Sequence, residues 1–197
     1  ATNFSLKQST LSIFEKLWKN SKRKKPIFRR GLTVENHNIN NVLCEWLYKS
    51  EEQKNKIVFY LHGGAYLSGG LSEARNRSMR YAVNTSASLF VVDYRTSAVE
   101  AFPAALNDSI VAYKYLLEIA PDAEIIIIGD SAGGGLALAT VLKICEKGIK
   151  QPKKIILNSP WTDLTCEAET YQTKQEQDVV LEGIFLRKCA RLYAGHD

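Results

Sequence analysis

Four short apolar runs divide the middle of the chain: KIVFYLH (56–62), SLFVVDY (88–94), EIIIIGD (124–130) and KKIILNSP (153–160). They are rich in Val and Ile and apolar throughout rather than alternating, the pattern of strands covered on both faces. Between them lie stretches of helical period, near 72–84, over 104–119 and in GGLALATVLKICEKG. Strands that alternate with helices imply right-handed crossovers and a parallel sheet. The expected class is α/β: a mostly parallel central sheet with helices on both faces. A length of 197 residues suffices for one sizeable core, so residues 1–197 read as one domain.

The flanks carry weaker signals. Residues 3–19 have Leu11, Phe14, Leu17 and Trp18 on one side of an amphipathic helix, and Pro26 breaks the pattern. Segments 29–36 and 42–48 look like strands joined by the polar ENHNINN as a hairpin. Near the end, Val180–Tyr193 repeats at helical spacing, Gly195 stands where a C-cap belongs, and no further strand follows.

The content of 45% hydrophobic and 24% charged residues fits an ordinary globular protein. Much of the formal +5 charge sits in KLWKNSKRKKPIFRR (16–30), which reads as a solvated helix end and its connector. Without interleaved aromatics at a recognition spacing it makes a poor nucleic-acid site, and no nucleic-acid partner is expected. The four cysteines, Cys44, Cys145, Cys166 and Cys189, form no C-x-x-C pair, which argues for free thiols and against a metal site. No apolar run approaches the ~20 residues that span a bilayer, and the start lacks the layout of a secretion signal. These features lead to the expectation of a soluble cytoplasmic protein, with homodimerisation left open.

The chemistry concentrates at GDSAGGG (129–135). Gly129, Ser131 and Gly133 fit G-x-S-x-G at the end of an apolar strand and the start of a helix, the setting in which that pattern holds a nucleophile. A sharp strand-to-helix turn strains the serine backbone, and only flanking residues without bulk avoid a clash. The bland alternative is a glycine-rich helix start packed against a neighbour. Upstream, LHGGAYLSGG (61–70) follows its strand directly, where the second half of an oxyanion hole would lie. The N–H groups of Gly63, Gly64 and Ala132 are the candidate donors. Neither dinucleotide nor nucleoside-triphosphate glycine loops occur, so no cofactor is expected.

HGGAY (62–66), DYR (93–95), FPAALND (102–108), GDSAGG (129–134) and SPWTDLT (159–165) together resemble the hormone-sensitive-lipase-like esterases of the α/β-hydrolase fold. The resemblance covers most of the chain and is weakest over 1–50. It implies that Ser131 is the nucleophile, that Gly63, Gly64 and Ala132 stabilise an oxyanion, and that residues 1–28 form a helical cap segment. The substrate it implies is a small carboxylic ester. The chain departs from the family pattern at TSAVEA (96–101), where a Pro-Glu-rich stretch is usual, and at Ala65 and Gly70. These changes bear on loop geometry and substrate preference.

A serine hydroxyl needs a base, and the base needs an acid to hold it. The chain has three histidines. In this fold the acid and histidine follow the serine in sequence. His37 and His62 precede Ser131; His37 reads as a surface residue in a polar turn, and His62 as a brace for the oxyanion loop. His196 follows, with Asp163, Asp178 and Glu182 between, but it sits at a terminus beyond the last helix rather than after further strands. The expectation is therefore an esterase whose acid, base and C-terminal strands lie beyond residue 197, leaving an unpaired apolar sheet edge and a Ser131 that is nearly inert in this chain alone. The alternative is an inactive hydrolase-like protein that binds a small ligand.

Overall fold

The computed structural model describes residues 31–178 and 181–195. The expected helix over 3–19, its break at Pro26, the basic run, the cap segment 1–28 and His196 lie outside the described residues.

The apolar runs form the strands they predict. They are β3 (Lys56–Leu61), β4 (Ser88–Asp93), β5 (Glu124–Asp130) and β6 (Lys154–Asn158), preceded by β1 (Thr33–Ile39) and β2 (Val42–Tyr48). The sheet order is β1-β2-β4-β3-β5-β6. β3 through β6 pair in parallel, while β2 runs antiparallel to both β1 and β4. The helices are α1 (Leu71–Asn84), α2 (Ala104–Ile119), α3 (Ala132–Glu146), the single turn α4 (Thr170–Thr173) and α5 (Gly183–Ala194). Gly195 caps α5 at φ +77, as expected.

Side-chain alternation along the central strands builds two cores. Val58, Tyr60, Leu89 and Val91 face Ala74 and Ala82 of α1. Phe59, Phe90 and Ile127 face the other way, toward Tyr113 of α2, Leu136 of α3 and Tyr193 of α5. Helices thus cover both faces of a mostly parallel sheet. A buried ion pair fastens α1 to β2: Arg75 Nε donates to Glu45 Oε2 at 2.5 Å, and the second guanidinium nitrogen reaches Glu45 Oε1.

Two expectations fail. The first hairpin strand runs over 33–39 rather than 29–36, so most of ENHNINN is strand, not loop. β1 is an outer strand with alternating exposure and tolerates polar residues. The chain reverses at Asn40–Asn41, both at positive φ (50° and 70°), which suits a two-residue hairpin turn. The other failure is the burial of the fourth run. Among the described residues β6 pairs only with β5, the unpaired apolar edge expected of this chain, and Ile155 and Ile156 remain 36% and 43% exposed.

Candidate active site

Ser131 lies between β5 and α3 at φ +53, ψ −118, in the left-handed half of backbone space that non-glycine residues rarely occupy. Hydrogen bonds hold it there. Its N–H donates to Asn158 O at 2.9 Å, and its carbonyl accepts from Trp161 N at 2.9 Å and Gly134 N at 2.9 Å. The end of β6 and the segment just after it therefore grip both sides of the serine.

The glycines two residues to either side of Ser131 follow from close approach. A Cβ at Gly129 would sit 2.2 Å from Gly133 O, and a Cβ at Gly133 would sit 2.2 Å from Leu61 O and 2.3 Å from His62 O. The start of α3 is thus pressed against the end of β3, which delivers the HGGA loop to the serine. The proximity is close enough that a Cβ at Gly63 would lie 3.2 Å from Ser131 Cβ.

The loop itself is a tight turn in which Leu67 N and Ser68 N both donate to Gly64 O at 3.0 Å. Ala132 is the first residue of α3, where helical N–H groups have no intrahelical acceptor. Among the described residues, no backbone carbonyl accepts from the N–H of Gly63, Gly64 or Ala132. The structure thus brings the three expected donors and Ser131 together in one corner of the molecule.

The histidines are placed elsewhere. His62 is 2% exposed, and its ring stacks on Tyr94 with centroids 4.1 Å apart. Burial pushes its pKa below the ordinary histidine value, so the ring is held neutral; Nδ1 lies 2.8 Å from Gly63 O and donates to it. Tyr94 hydroxyl donates to His62 O at 2.6 Å. The loop is braced from both its side chain and its backbone.

His37 is not a surface turn residue. It lies in β1, half-buried among Trp46, Phe90 and Tyr115, with Nδ1 2.9 Å from Tyr115 hydroxyl. The polar residues around it continue the strand rather than forming a turn.

The acids are solvent-facing. Asp163 Oδ1 accepts from Thr165 N at 2.9 Å, Asp178 Oδ1 accepts from Leu181 N at 2.8 Å, and Glu182 precedes α5. Neither described histidine hydrogen-bonds to Ser131 or to these acids.

A cavity of about 290 Å³ opens beside Ser131, walled by Ser159, Pro160, Trp161, Tyr171, Leu181 and Leu186. Of these the sequence marked only SPW, through the resemblance; the rest come from irregular or helical segments whose docking no local periodicity encodes. The wall is tied down by the Tyr66–Tyr193 ring stack at 3.8 Å, by Phe102 N donating to Tyr193 O at 2.7 Å, and by Arg187 donating to Cys166 O at 3.1 Å. DYR and FPAALND lock to each other: Arg95 Nε donates to Asp108 Oδ2 at 2.9 Å, and its terminal nitrogen to Oδ1 at 2.6 Å. Their role in this structure is to fix the loop after β4. All four cysteines are free. Among the described residues, no group of three or more His, Cys, Asp or Glu side chains is placed to hold a metal ion. Among them, too, no helix is long and apolar enough to cross a membrane.

Comparison with known proteins adds a family. A model of the alpha/beta hydrolase fold matches residues 58–197. An acetyl-hydrolase from Streptomyces hygroscopicus is 33% identical over 161 residues, 81% of this chain and 54% of that protein. The chain thus spans about half the length of that curated relative. A solved esterase/lipase from an uncultured bacterium superposes with a TM-score of 0.81 at 31% identity, over 93% of this chain and 62% of the other. A hormone-sensitive lipase from a metagenome library gives 0.79 at 29% identity, over 96% and 69%.

Proposed function

Since the chain belongs to the α/β-hydrolase fold family, in its hormone-sensitive-lipase-like branch, we propose that it is a serine carboxylesterase that hydrolyses short-acyl esters through an acyl-enzyme. The observation that carries this reading is the strained Ser131 beside three N–H groups from which, among the described residues, no backbone carbonyl accepts. Relatives named acetyl-hydrolase and esterase support the reaction class.

In this mechanism Ser131 Oγ attacks the ester carbonyl carbon as its proton passes to a base. The carbonyl oxygen becomes an oxyanion that accepts from the N–H groups of Gly63, Gly64 and Ala132. Such donors are worth about 3–4 kcal/mol each where measured, and the positive end of the α3 dipole adds to them. Collapse of the intermediate breaks the bond to the alcohol, which leaves with a proton and yields the acyl-serine. Water then repeats the sequence and releases the acid. His37 and His62 are both otherwise engaged, so in this reading the base is a group outside the described residues. The four free thiols fit a reducing, cytoplasmic setting.

One observation favours a second reading, an inactive small-ligand-binding hydrolase: among the described residues no base reaches the Ser131 hydroxyl. Turnover of p-nitrophenyl acetate by the full-length protein separates the two. The esterase reading expects hydrolysis by the unmodified protein and none above buffer for Ser131→Ala. Equal activity in the variant removes Ser131 from the mechanism, and no activity in either favours binding.

A further inference from the structure

Asn158 touches the nucleophile turn twice. Its backbone carbonyl accepts the Ser131 N–H at 2.9 Å, and its side-chain Nδ2 donates to Asp130 Oδ1 at 2.6 Å. The other carboxylate oxygen of Asp130 accepts from Tyr60 hydroxyl. A chain of hydrogen bonds therefore runs from β3 through the residue before the serine to the end of β6.

We propose that Asn158 is a positioning residue for Ser131, holding the serine in its strained conformation through paired backbone and side-chain bonds to residues 130 and 131. The inference rests on the esterase reading above. The physical reasoning starts from the cost of the turn. A non-glycine residue at φ +53 persists only where its surroundings over-determine it. Bonds to the serine's own N–H and carbonyl fix its peptide planes, and they come from Asn158 at the end of β6, from Trp161 in the segment after it and from Gly134. Without a second tie, small movements of that strand would pass directly to Ser131.

The side-chain amide supplies the second tie, because it locks the end of β6 to the end of β5 at Asp130. Tyr60 fixes the far side of the same carboxylate. Burial and the adjacent Asp130 hold its pKa well above the ordinary phenol value, so its hydroxyl remains a donor. Asn158 is not itself among the residues that line the cavity, and its side-chain amide bonds to Asp130. Its influence on reaction therefore passes through the orientation of Ser131, and a loss of position should appear in kcat rather than KM.

The test uses the rate of fluorophosphonate labelling at Ser131 and p-nitrophenyl acetate kinetics in the full-length protein, with thermal melting to verify folding. Asn158→Asp places two carboxylates face to face and should slow labelling about tenfold to a hundredfold, the scale of a small misplacement of reacting atoms. Asn158→Ala, which keeps the backbone carbonyl but removes the amide, should lower kcat severalfold with KM unchanged. The exchange Asp130→Asn with Asn158→Asp restores a donor facing an acceptor and leaves an amide oxygen for Tyr60. It should recover most of the wild-type rate. Wild-type rates in folded Asn158→Ala and Asn158→Asp, with Ser131→Ala unlabelled, would overturn the positioning role alone. So would a slow Asn158→Asp that the exchange fails to rescue. Labelling that persists in Ser131→Ala, or fails in the unmodified protein, would overturn the esterase reading and this inference with it.

Discussion

β5 and β6 are neighbours in the sheet and near-twins in sequence, EIIIIGD beside KIILN, yet they occupy different environments. Ile127 of β5 is fully buried, whereas Ile155 and Ile156 of β6 keep more than a third of their surface. The two histidines divide in the same way. His62 follows the central β3 and is almost wholly enclosed, while His37 on the outer β1 has the Glu35 carboxylate 3.7 Å from Nε2. An apolar run records that a strand prefers cover; its place in the sheet decides how much cover it finds. The centre supplies rigidity to the candidate site, and Asn158 at the end of β6, with Trp161 just after it, supplies the grip on Ser131.

The largest expected effect tests that contrast directly. In the 197-residue chain, Ile127→Ala leaves a cavity between the sheet and its helices and should cost about 2–5 kcal/mol, whereas Ile155→Ala should cost less than about 1 kcal/mol. Urea midpoints of the two variants measure this. Equal losses would mean that the face of β6 is covered in solution.

The same contrast explains what could be read from residues alone. Strands 56–61, 88–93, 124–130 and 154–158 stood out as unbroken apolar runs, and helix 104–119 because its apolar side chains repeat at the helical period. The serine turn and the HGGA loop were legible for a different reason, since a Cβ at Gly129 or Gly133 would strike a backbone carbonyl. β1 was misplaced because an outer strand need not be apolar, and Asn40 and Asn41 look like any other polar residues until both adopt positive φ. The aromatic setting of His37 depends on Tyr115, contributed by a helix far away in sequence. Strand order is invisible to local patterns, so the grip of Asn158 and Trp161 on Ser131 could not be foreseen.

A smaller effect sharpens the comparison through pH. Burial is the leading cause that lowers the pKa of both described histidines; the Glu35 charge opposes it at half-buried His37, and the Gly63 hydrogen bond and Glu73 charge oppose it at the almost wholly enclosed His62. Unfolding returns each ring to its ordinary value near 6.5. The unfolded chain then binds more protons below that pH, so this contribution is fully present above about 6.5 and is lost as pH falls toward the folded values. Denaturation should therefore show lower stability at pH 5.5 than at 7.5. By NMR, His37 should begin to titrate at a higher pH than His62. Stability that rises on acidification, or a His62 that titrates first, would break the assignment of centre and edge.

The most direct test of the whole account is where an acyl or phosphonyl group ends up on the full-length protein. Peptide-mapped mass spectrometry after incubation with a fluorophosphonate should find one adduct, on the peptide containing Ser131, and none in Ser131→Ala. An adduct on another residue that survives Ser131→Ala would show that the strained serine at the end of β5 is not the nucleophile.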